Sequence, residues 1–576
     1  MTTLKKIIVG AISTIFLLAV VIGIVHNVIR SPKSDHHHIG SSEEKINVAA
    51  VTKSIDSLCQ LTDYKETCIQ TLNSVSTDNK TTDPKLAVTA SIKSTLAEYG
   101  QFIAKSKNIG NGTTDKLNKQ ALSDCQELLA FANSELQDAL DSSEKGDAEN
   151  IRRRSKDLNN WLSAVMAYQV TCIDGLTHPE LKSEMTNGMN KATELTKNAL
   201  AIITEITKFL DSMKGALNLK DNVFGAGGRK LLNSGSIGDR YPYWFGAAER
   251  KLLQAAQTKK VTPDAVVAKD GSGDCNTIQQ CIDKIPAVRE GRYIIHVKAG
   301  VYHENVIIGK KTKDVFMYGD GARRTTVTAS LNNVDGVTTF NSATFAAMGS
   351  GFICKSMGFS NTAGAIKHQA VALRVQSDLS AFFNCRMDAY QDTLYAHAHR
   401  QFYRNCVISG TVDFIFGMST TVIQNCLIIV RKPMDNQQNI VTANGRNYKY
   451  QESGFVIQNC RIVPDRFLSP VRTKIRSYLG RPWKENSRTV IMESQIGDLI
   501  QPEGWLEWNG DFALKTLTYG EYNNRGPGAD VSKRVKWPGY HVFKKNDVLP
   551  YTVDSFISGS SWIKYSGIPF ISGLKN

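Results

Sequence analysis

The sequence predicts an all-α four-helix bundle followed by an all-β domain, most simply a parallel β-helix. Between residues 46 and 210, apolar residues recur at spacings of three and four with almost no proline, which is typical of amphipathic helices. In the second half the dipeptide Asn-Cys begins at positions 384, 405, 425 and 459, so the first three copies are 21 and 20 residues apart. A period near 20 residues with short β-branched runs indicates the stacked coils of a solenoid.

Residues 1–30 are predicted to be a signal peptide or signal anchor. Lys5 and Lys6 precede an apolar run at residues 7–25, a length between that of a signal-peptide core and a membrane span. Either interpretation directs the chain into the secretory route. Cysteines form disulfides in that oxidising environment, and the chain has 11 cysteines. Sequons at Asn79 and Asn111 predict N-glycosylation in that route.

The charge of the chain predicts an acidic partner. The formal net charge is +15, which suits nucleic acid, an anionic membrane or a polyanionic polysaccharide. Lysines and arginines are scattered along the sequence and no nucleic-acid-binding motif is present. We therefore expect no nucleic-acid partner.

The helical half, residues 46–210, has no acid/base cluster, which favours binding or masking as its role. Residues 211–253 form a predicted linker rich in glycine, serine and basic residues. Two near-copies, GRKLL at 228–232 and ERKLL at 249–253, lie in this linker and predict proteolytic processing. The residues of the two processing motifs are Arg229, Lys230, Leu231, Leu232, Arg250, Lys251, Leu252 and Leu253.

In the β domain, residues 254–576, two aspartates recur with the coil period. Asp392 lies seven residues after Cys385, and Asp413 lies seven residues after Cys406. Equivalent positions on stacked strands are about 4.8 Å apart, so we expect the two carboxyl groups to face each other. Repulsion between them should raise one pKa and leave one acid beside one base or nucleophile.

Five motifs of the β domain, in this order, resemble the plant pectin methylesterases, in the long form with an amino-terminal inhibitor-like pro-region. The motifs are GVYHE at 300–304, QAVAL at 369–373, QDTL at 391–394, DFIFG at 413–417 and LGRPW at 479–483. The resemblance implies a right-handed parallel β-helix as the catalytic domain, residues 254–576, and an inhibitor-like bundle at 46–210. It also implies hydrolysis of the methyl esters of polygalacturonate to pectate and methanol.

The resemblance assigns roles to residues that have suitable chemistry. Asp413 would be the nucleophile, and Asp392 would act first as acid and then as base. The side-chain amides of Gln369 and Gln391 would stabilise the oxyanion. Arg481 would pair with Asp413 and keep it ionised.

Substrate contacts are implied for Thr339, Gln369, Arg481 and Trp483, with Tyr395 lining the cleft. No metal or other cofactor is expected. The expected partners are pectin, separate inhibitor proteins and a processing subtilisin-like protease, and the processed enzyme is expected to be a monomer. The resemblance also implies a secreted protein of the plant cell wall or apoplast, with a precursor that residues 7–25 could anchor to the membrane.

The resemblance also implies three disulfides: Cys59–Cys68, Cys125–Cys172 and Cys426–Cys460. Gly358 stands near the place where the family has a further cysteine. The pairing of the other cysteines therefore stays open; these are Cys275, Cys281, Cys354, Cys385 and Cys406.

Two other functions compete with the esterase. Retaining glycosidases also use two carboxyl groups about 5 Å apart, so a pectin depolymerase is the first alternative. A non-catalytic pectin-binding or inhibitor protein, with the helical half as its active part, is the second. For the leading interpretation we expect the bundle to cover the cleft until the linker is cleaved.

Overall fold

The computed structural model of the chain describes residues 53–216 and 262–575. The first range contains six helices and one small two-stranded antiparallel sheet. The helices are α1 (Ile55–Cys59), α2 (Lys65–Asn73), α3 (Pro84–Ser106), α4 (Lys116–Glu144), α5 (Ala148–Gly175) and α6 (Pro179–Ala216). The strands of the small sheet are β1 (Lys53–Ser54) and β2 (Thr81–Thr82). The four long helices α3 to α6 confirm the predicted bundle.

Local sequence fixes where the long helices begin. Asp83, Asp115 and Asp147 precede α3, α4 and α5, and each side chain accepts a backbone N–H of the first turn. Disulfides Cys59–Cys68 and Cys125–Cys172 join α1 to α2 and α4 to α5, which confirms both predicted pairs. Helix α6 continues to Ala216, so the helical part extends beyond the predicted boundary at residue 210.

The β domain consists of three parallel sheets of 11, eight and seven strands. Sheet 1 contains β3 (Ala265–Val267), β4 (Tyr293–Val297), β7 (Val315–Gly319), β10 (Ile353–Lys355), β13 (Ser380–Phe383), β16 (Arg400–Arg404), β19 (Thr420–Gln424), β22 (Gly454–Gln458), β25 (Arg488–Met492), β27 (Thr518–Tyr522) and β28 (Tyr540–Val542). Sheet 2 contains β5 (Gly300–His303), β8 (Thr325–Ala329), β11 (Gly358–Asn361), β14 (Arg386–Asp388), β17 (Val407–Gly410), β20 (Leu427–Val430), β23 (Arg461–Pro464) and β26 (Gln495–Ile496). Sheet 3 contains β6 (Val306–Ile308), β9 (Phe345–Ala347), β12 (Leu373–Val375), β15 (Leu394–Ala396), β18 (Ile415–Gly417), β21 (Asn439–Asn444) and β24 (Ser477–Gly480).

Successive coils contribute one strand to each sheet, as a parallel β-helix requires, and the predicted fold is confirmed. The repeated asparagines explain how each coil turns. Asn384, Asn405, Asn425 and Asn459 all have left-handed backbone, with φ between 52° and 58°, a conformation that asparagine tolerates better than most residues. Asn425 also donates a side-chain hydrogen bond to Asn405, and Asn459 donates one to Asn425. The repeat therefore supplies both a turn and a side-chain ladder.

Buried aromatic and aliphatic side chains fill the interior of the coils, and five cysteines contribute to this filling. Cys354, Cys385, Cys406, Cys426 and Cys460 are all buried free thiols. The expected Cys426–Cys460 disulfide is therefore absent, and that prediction is wrong. The Cys426 amide donates to the Cys460 sulfur at 3.2 Å, so the stacked residues meet through a backbone hydrogen bond. Cys275 and Cys281, whose pairing the sequence left open, form a disulfide.

Four short helices also belong to the described part of the β domain. They are α7 (Ile278–Asp283), α8 (Lys545–Val548), α9 (Val553–Ile557) and α10 (Gly559–Trp562). The last two cover the outer face of sheet 1, where Ile557 and Trp562 contact a cluster that includes Phe402 and Val456. The carboxyl-terminal segment thus covers a sheet face.

Several sequence predictions fall on residues outside those that the structure describes. The leader at residues 1–30 and the processing motifs at 229–232 and 250–253 are among them. No helix within residues 53–216 or 262–575 has the length and apolar character needed to cross a membrane. Asn79 and Asn111 are exposed, so a glycan could be attached at either, and their glycosylation stays a prediction.

Candidate active site

The two aspartates predicted to face each other occupy equivalent positions on neighbouring coils. Each precedes a strand of sheet 3 by two residues, and the strands pair in register, Leu394 opposite Ile415. Asp392 and Asp413 are 7% and 6% exposed, and both have left-handed backbone, with φ of 63° and 48°. Non-glycine residues in that conformation cost folding energy and are concentrated at functional sites.

Burial and one arginine set the charge states of the pair. Arg481 donates from Nε and Nη2 to the two carboxylate oxygens of Asp413 at 2.8 and 2.6 Å. Burial raises the pKa of Asp413, and Arg481 opposes this effect. The pKa of Asp392 is raised well above its ordinary value, first by burial and then by the charge of Asp413, and Arg481 offsets this only partly. The environment therefore favours a protonated Asp392 beside an ionised Asp413.

Two glutamines present amide groups to the same space. Gln369 and Gln391 lie on adjacent coils, and the Ala370 amide donates to the Gln391 carbonyl at 3.3 Å. Both side chains are half-buried and line the cavity around the aspartates. Within the described residues neither side-chain amide has a hydrogen-bond partner. They are free to donate to a ligand oxygen.

Aromatic rings form the next part of the cavity wall. Tyr395 and Phe416 stack with ring centroids 4.3 Å apart, and Trp483 lies 6.2 Å from Phe416. The Arg481 guanidinium lies 4.4 Å from the ring centroid of Trp508. Flat rings of this kind offer apolar faces to a sugar. The sequence analysis missed Trp508, which lies outside every motif that we singled out.

All the predicted catalytic and substrate-binding residues line one cavity of about 640 Å³. They are Thr339, Gln369, Gln391, Asp392, Tyr395, Asp413, Arg481 and Trp483. Phe414, which follows Asp413 directly in the sequence, is fully buried in the interior of the coils. The cavity thus brings together residues from five separate motifs and loops.

The opposite wall of the cavity comes from the helical bundle. The bundle and the β-helix belong to one compact unit, and Asp124, Thr171 and Asp174 of the bundle line the cavity. The Thr171 hydroxyl lies 3.0 Å from the Tyr395 hydroxyl. Sequence reasoning missed these residues because helical periodicity does not distinguish a polar side chain at an interface from one in solvent.

Beside the cavity, the interface between bundle and β-helix buries a charged cluster. Glu135 of α4 is 4% exposed, and its Oε1 lies 2.6 Å from Lys310 Nζ and 3.1 Å from His399 Nε2. Although burial raises its pKa, His399 and Lys310 together hold the pKa of Glu135 below the ordinary value. Nearby, burial lowers the pKa of His397 well below that of a free histidine, and the charge of Arg374 lowers it further. These contacts fix the bundle over the site.

Chemically, the site combines a carboxylate held by arginine, a second carboxyl group whose pKa burial raises, and two free amide donors. Such a set can perform acyl transfer, with attack, proton donation and oxyanion stabilisation from three different groups. Among residues 53–216 and 262–575, no cluster of three or more histidine, cysteine, aspartate or glutamate side chains could hold a metal ion.

The fold and the site define a β-helix enzyme whose paired aspartates face a helical bundle across a cavity. Comparison with known proteins agrees with this description. The pectinesterase family matches residues 264–560, and the plant invertase/pectin methylesterase inhibitor family matches residues 53–202.

Two relatives and one solved structure also match pectinesterases. A pectinesterase/pectinesterase inhibitor of Arabidopsis thaliana is 43% identical over 539 residues, covering 93% of this chain and 86% of its own. Pectinesterase 1 of Citrus sinensis is 44% identical over 529 residues, covering 90% and 88%. Among solved structures, pectin methylesterase from carrot is similar, with 52% sequence identity and a TM-score of 0.54. The match covers 55% of this chain and 100% of the carrot chain.

The chain belongs to the pectinesterase family of carboxylic ester hydrolases, and it has an amino-terminal domain of the inhibitor family.

Proposed function

We propose that this protein hydrolyses the methyl esters of polygalacturonate in the plant cell wall, giving methanol and free carboxylate. The observation that carries the proposal is the cavity in which Arg481 pairs with Asp413 beside the buried Asp392. The amides of Gln369 and Gln391 complete the set. These donors suit an oxyanion better than the oxocarbenium ion of a glycosidase.

In the first half of the reaction, a carboxylate oxygen of Asp413 attacks the ester carbonyl and forms a tetrahedral intermediate. Gln369 and Gln391 donate N–H groups to the oxyanion, and one such donor contributes about 3–4 kcal/mol in other acyl-transfer enzymes. When the intermediate collapses, the C–O bond to the methoxy group breaks. Asp392 gives its proton to the departing oxygen, and methanol leaves.

In the second half, the anhydride between Asp413 and the substrate is hydrolysed. Asp392, now ionised, takes a proton from a water molecule that attacks the substrate carbonyl. The bond to Asp413 breaks, and the product leaves as the uronic acid, which releases its proton to solvent and becomes a carboxylate. Asp413 returns as a carboxylate paired with Arg481, and Asp392 is again protonated.

We also propose that the bundle is autoinhibitory. It forms one wall of the cavity, and its buried Glu135 pairs with Lys310 and His399 of the β-helix. A polymeric substrate needs an open groove, which the docked bundle denies. Cleavage in the linker, at 229–232 or 250–253, by a subtilisin-like protease would release the enzyme as a monomer in the apoplast. Separate inhibitor proteins of the same fold could then bind the exposed site.

The activity is tested with a fragment that begins at Gln254, since the solved carrot chain matches 55% of this chain and folds without a counterpart of the rest. Methanol release from highly methylated pectin and the viscosity of the solution are followed together, with Asp413→Ala in parallel. We expect methanol from the parent fragment alone, at unchanged viscosity. A fall in viscosity without methanol would instead indicate a depolymerase, and loss of both with retained pectin binding would indicate a binding protein.

Autoinhibition is tested by replacing both dibasic pairs in the linker so that the precursor stays intact. We expect this precursor to release methanol far more slowly than the fragment. If the uncleaved precursor were fully active, and added bundle left the fragment uninhibited, autoinhibition would be wrong and the esterase proposal would stand.

A further inference from the structure

Lys484 is a cation of the cavity wall whose acidic partner, among the residues that the structure describes, lies in the bundle. It follows Trp483 directly and lines the same cavity as Asp392 and Asp413. Arg481, the neighbouring cation of the β-helix, is already paired with Asp413 through two hydrogen bonds. Within the described residues Lys484 pairs with no acidic side chain of the β-helix. Its charge is therefore not balanced by a carboxylate of its own domain among these residues.

The partner of Lys484 comes from the bundle. Lys484 Nζ lies 2.7 Å from Asp174 Oδ2, and the two side chains are 23% and 25% exposed. Asp174 stands at the carboxyl-terminal end of α5 and has a second cation, Lys182 of α6, at 4.0 Å. When the bundle leaves, Asp174 keeps Lys182, whereas Lys484 is left in the cavity wall without a counter-charge.

A second bundle carboxylate contacts the β-helix in a similar way. The oxygens of Asp124 accept hydrogen bonds from the Thr338 hydroxyl at 2.6 Å and from the Asn341 amide at 2.5 Å. Asp124 and Asp174 both line the cavity. The bundle thus presents two carboxylates to groups of the β-helix that can bind them.

We propose that Lys484 binds a free uronate carboxylate next to the reacting ester, and that Asp174 occupies this carboxylate position in the precursor. The inference rests on the proposed function, because hydrolysis of one ester leaves a carboxylate beside the next ester of the chain. Lys484 is close enough to the reacting centre for this, being three residues from Arg481, with its Nζ 5.5 Å from the Trp483 ring centroid. The released enzyme then prefers substrate that is already partly de-esterified.

The test compares Lys484→Met with the parent, after cleavage of the full chain at a protease site placed between residues 217 and 261 and separation of the bundle. Methionine keeps the apolar stem and removes the charge. Lys449→Met is the matched control, because Lys449 also pairs with a bundle carboxylate, Asp63, at 2.7 Å but does not line the cavity. Lys484→Arg tests whether a positive charge alone restores the behaviour.

Two measurements are made on each variant. The first is the ratio of kcat/KM for half-de-esterified over fully methylated oligogalacturonate of one length. The second is calorimetric binding of fully de-esterified oligogalacturonate, which does not depend on catalysis. For Lys484→Met we expect both the ratio and the affinity to fall on the order of tenfold, the effect of losing one partly desolvated ion pair. Lys449→Met should match the parent, and Lys484→Arg should keep most of the preference.

The outcomes separate this inference from the proposed function. If the parent releases methanol and Lys484→Met keeps the parent's ratio and affinity, the role of Lys484 is wrong and the esterase stands. If Lys449→Met loses as much as Lys484→Met, the effect is one of general charge and the inference is equally wrong. If the parent releases no methanol, the proposed function fails, and the binding experiment still decides whether Lys484 recognises a uronate.

Discussion

Arg481 and Asp413, 68 residues apart in sequence, form a two-point ion pair, with Nε 2.8 Å from one carboxylate oxygen and Nη2 2.6 Å from the other. The planar guanidinium matches both oxygens at once, which a lysine ammonium cannot do. The same contact lowers the pKa of Asp413 against the effect of its burial. The pair therefore both aims this carboxylate and favours its ionised form.

Arg481→Lys should lower kcat/KM on the order of 10- to 100-fold, the effect expected for loss of one charge-assisted hydrogen bond. It should also move the acidic limb of the pH–activity profile to higher pH, because a lysine keeps the charge but makes fewer hydrogen bonds to Asp413, so less opposes the rise in pKa that burial causes. Arg472→Lys is the control, since Arg472 makes the same two contacts to Asp498 at the surface. An unmoved acidic limb would contradict the assigned role of Arg481.

Asp392 should make the folded protein less stable as the pH rises. Its folded pKa is raised well above the ordinary 3.8, so between these two values the folded state binds more protons than the unfolded state, and stability is lost through the folded pKa. Asp392→Asn removes this dependence. We expect its free energy of unfolding, relative to the parent and measured by thermal or chemical denaturation, to increase as the pH rises above about 4, by at most about 1.4 kcal/mol per pH unit.

Asp498→Asn provides a contrast of opposite sign. Arg472 lowers the pKa of the exposed Asp498, so the carboxylate stabilises the protein above its unfolded pKa and loses this effect as the pH falls. The deficit of Asp498→Asn should therefore shrink in acid. A flat difference between Asp392→Asn and the parent across pH would contradict a buried, protonated Asp392.

The buried ion pair between bundle and β-helix should dominate docking of the bundle. Glu135→Gln leaves Lys310 and His399 without their shared carboxylate, at a cost of about 3 kcal/mol. In an uncleavable precursor we expect methanol release to rise on the order of 100-fold. Asp63→Asn breaks an exposed pair with Lys449 across the same interface, and exposed pairs contribute about 0–1 kcal/mol. Equal effects of the two substitutions would show that the buried cluster does not hold the bundle.

Gly445 should be necessary for the position of Trp483. A Cβ added there would lie 2.7 Å from Trp483 Cε3 and 2.8 Å from Met418 Cγ, so Gly445→Ala must displace the ring. We expect KM for pectin to rise several-fold with little change in the melting temperature. Gly309→Ala is the control, because its Cβ would meet no heavy atom within 4 Å. An unchanged KM would remove Trp483 from the substrate surface.

Thiol counting checks the cysteine arrangement. Six cysteines form three disulfides and the other five of the 11 are free thiols. Denaturation without a reductant should therefore expose five reactive thiols, counted by alkylation and mass spectrometry. Three thiols, with peptides containing Cys426 and Cys460 joined, would restore the pairing that the family resemblance implies.

The sequence by itself determined the two fold classes and the aspartate pair. Both follow from periodicity. A repeat near 20 residues places Asp392 and Asp413 on neighbouring coils, and this placement does not depend on the sequence outside the repeat. The sequence also singled out Gln369, Gln391, Arg481, Tyr395 and Trp483, since motif resemblance depends on local residue order. The structure confirms that the two aspartates are equivalent, because the strands that follow them pair with Leu394 opposite Ile415.

Only the tertiary structure decided what faces the site from the other domain. Asp124, Asp174 and Glu135 lie on ordinary amphipathic helices, where spacing distinguishes the apolar face from the polar one but does not reveal which polar residues are covered. The state of Cys426 and Cys460 was also beyond the sequence. A shared position on stacked coils brings two cysteines near each other, but whether the sulfur atoms bond depends on their orientation inside the coils.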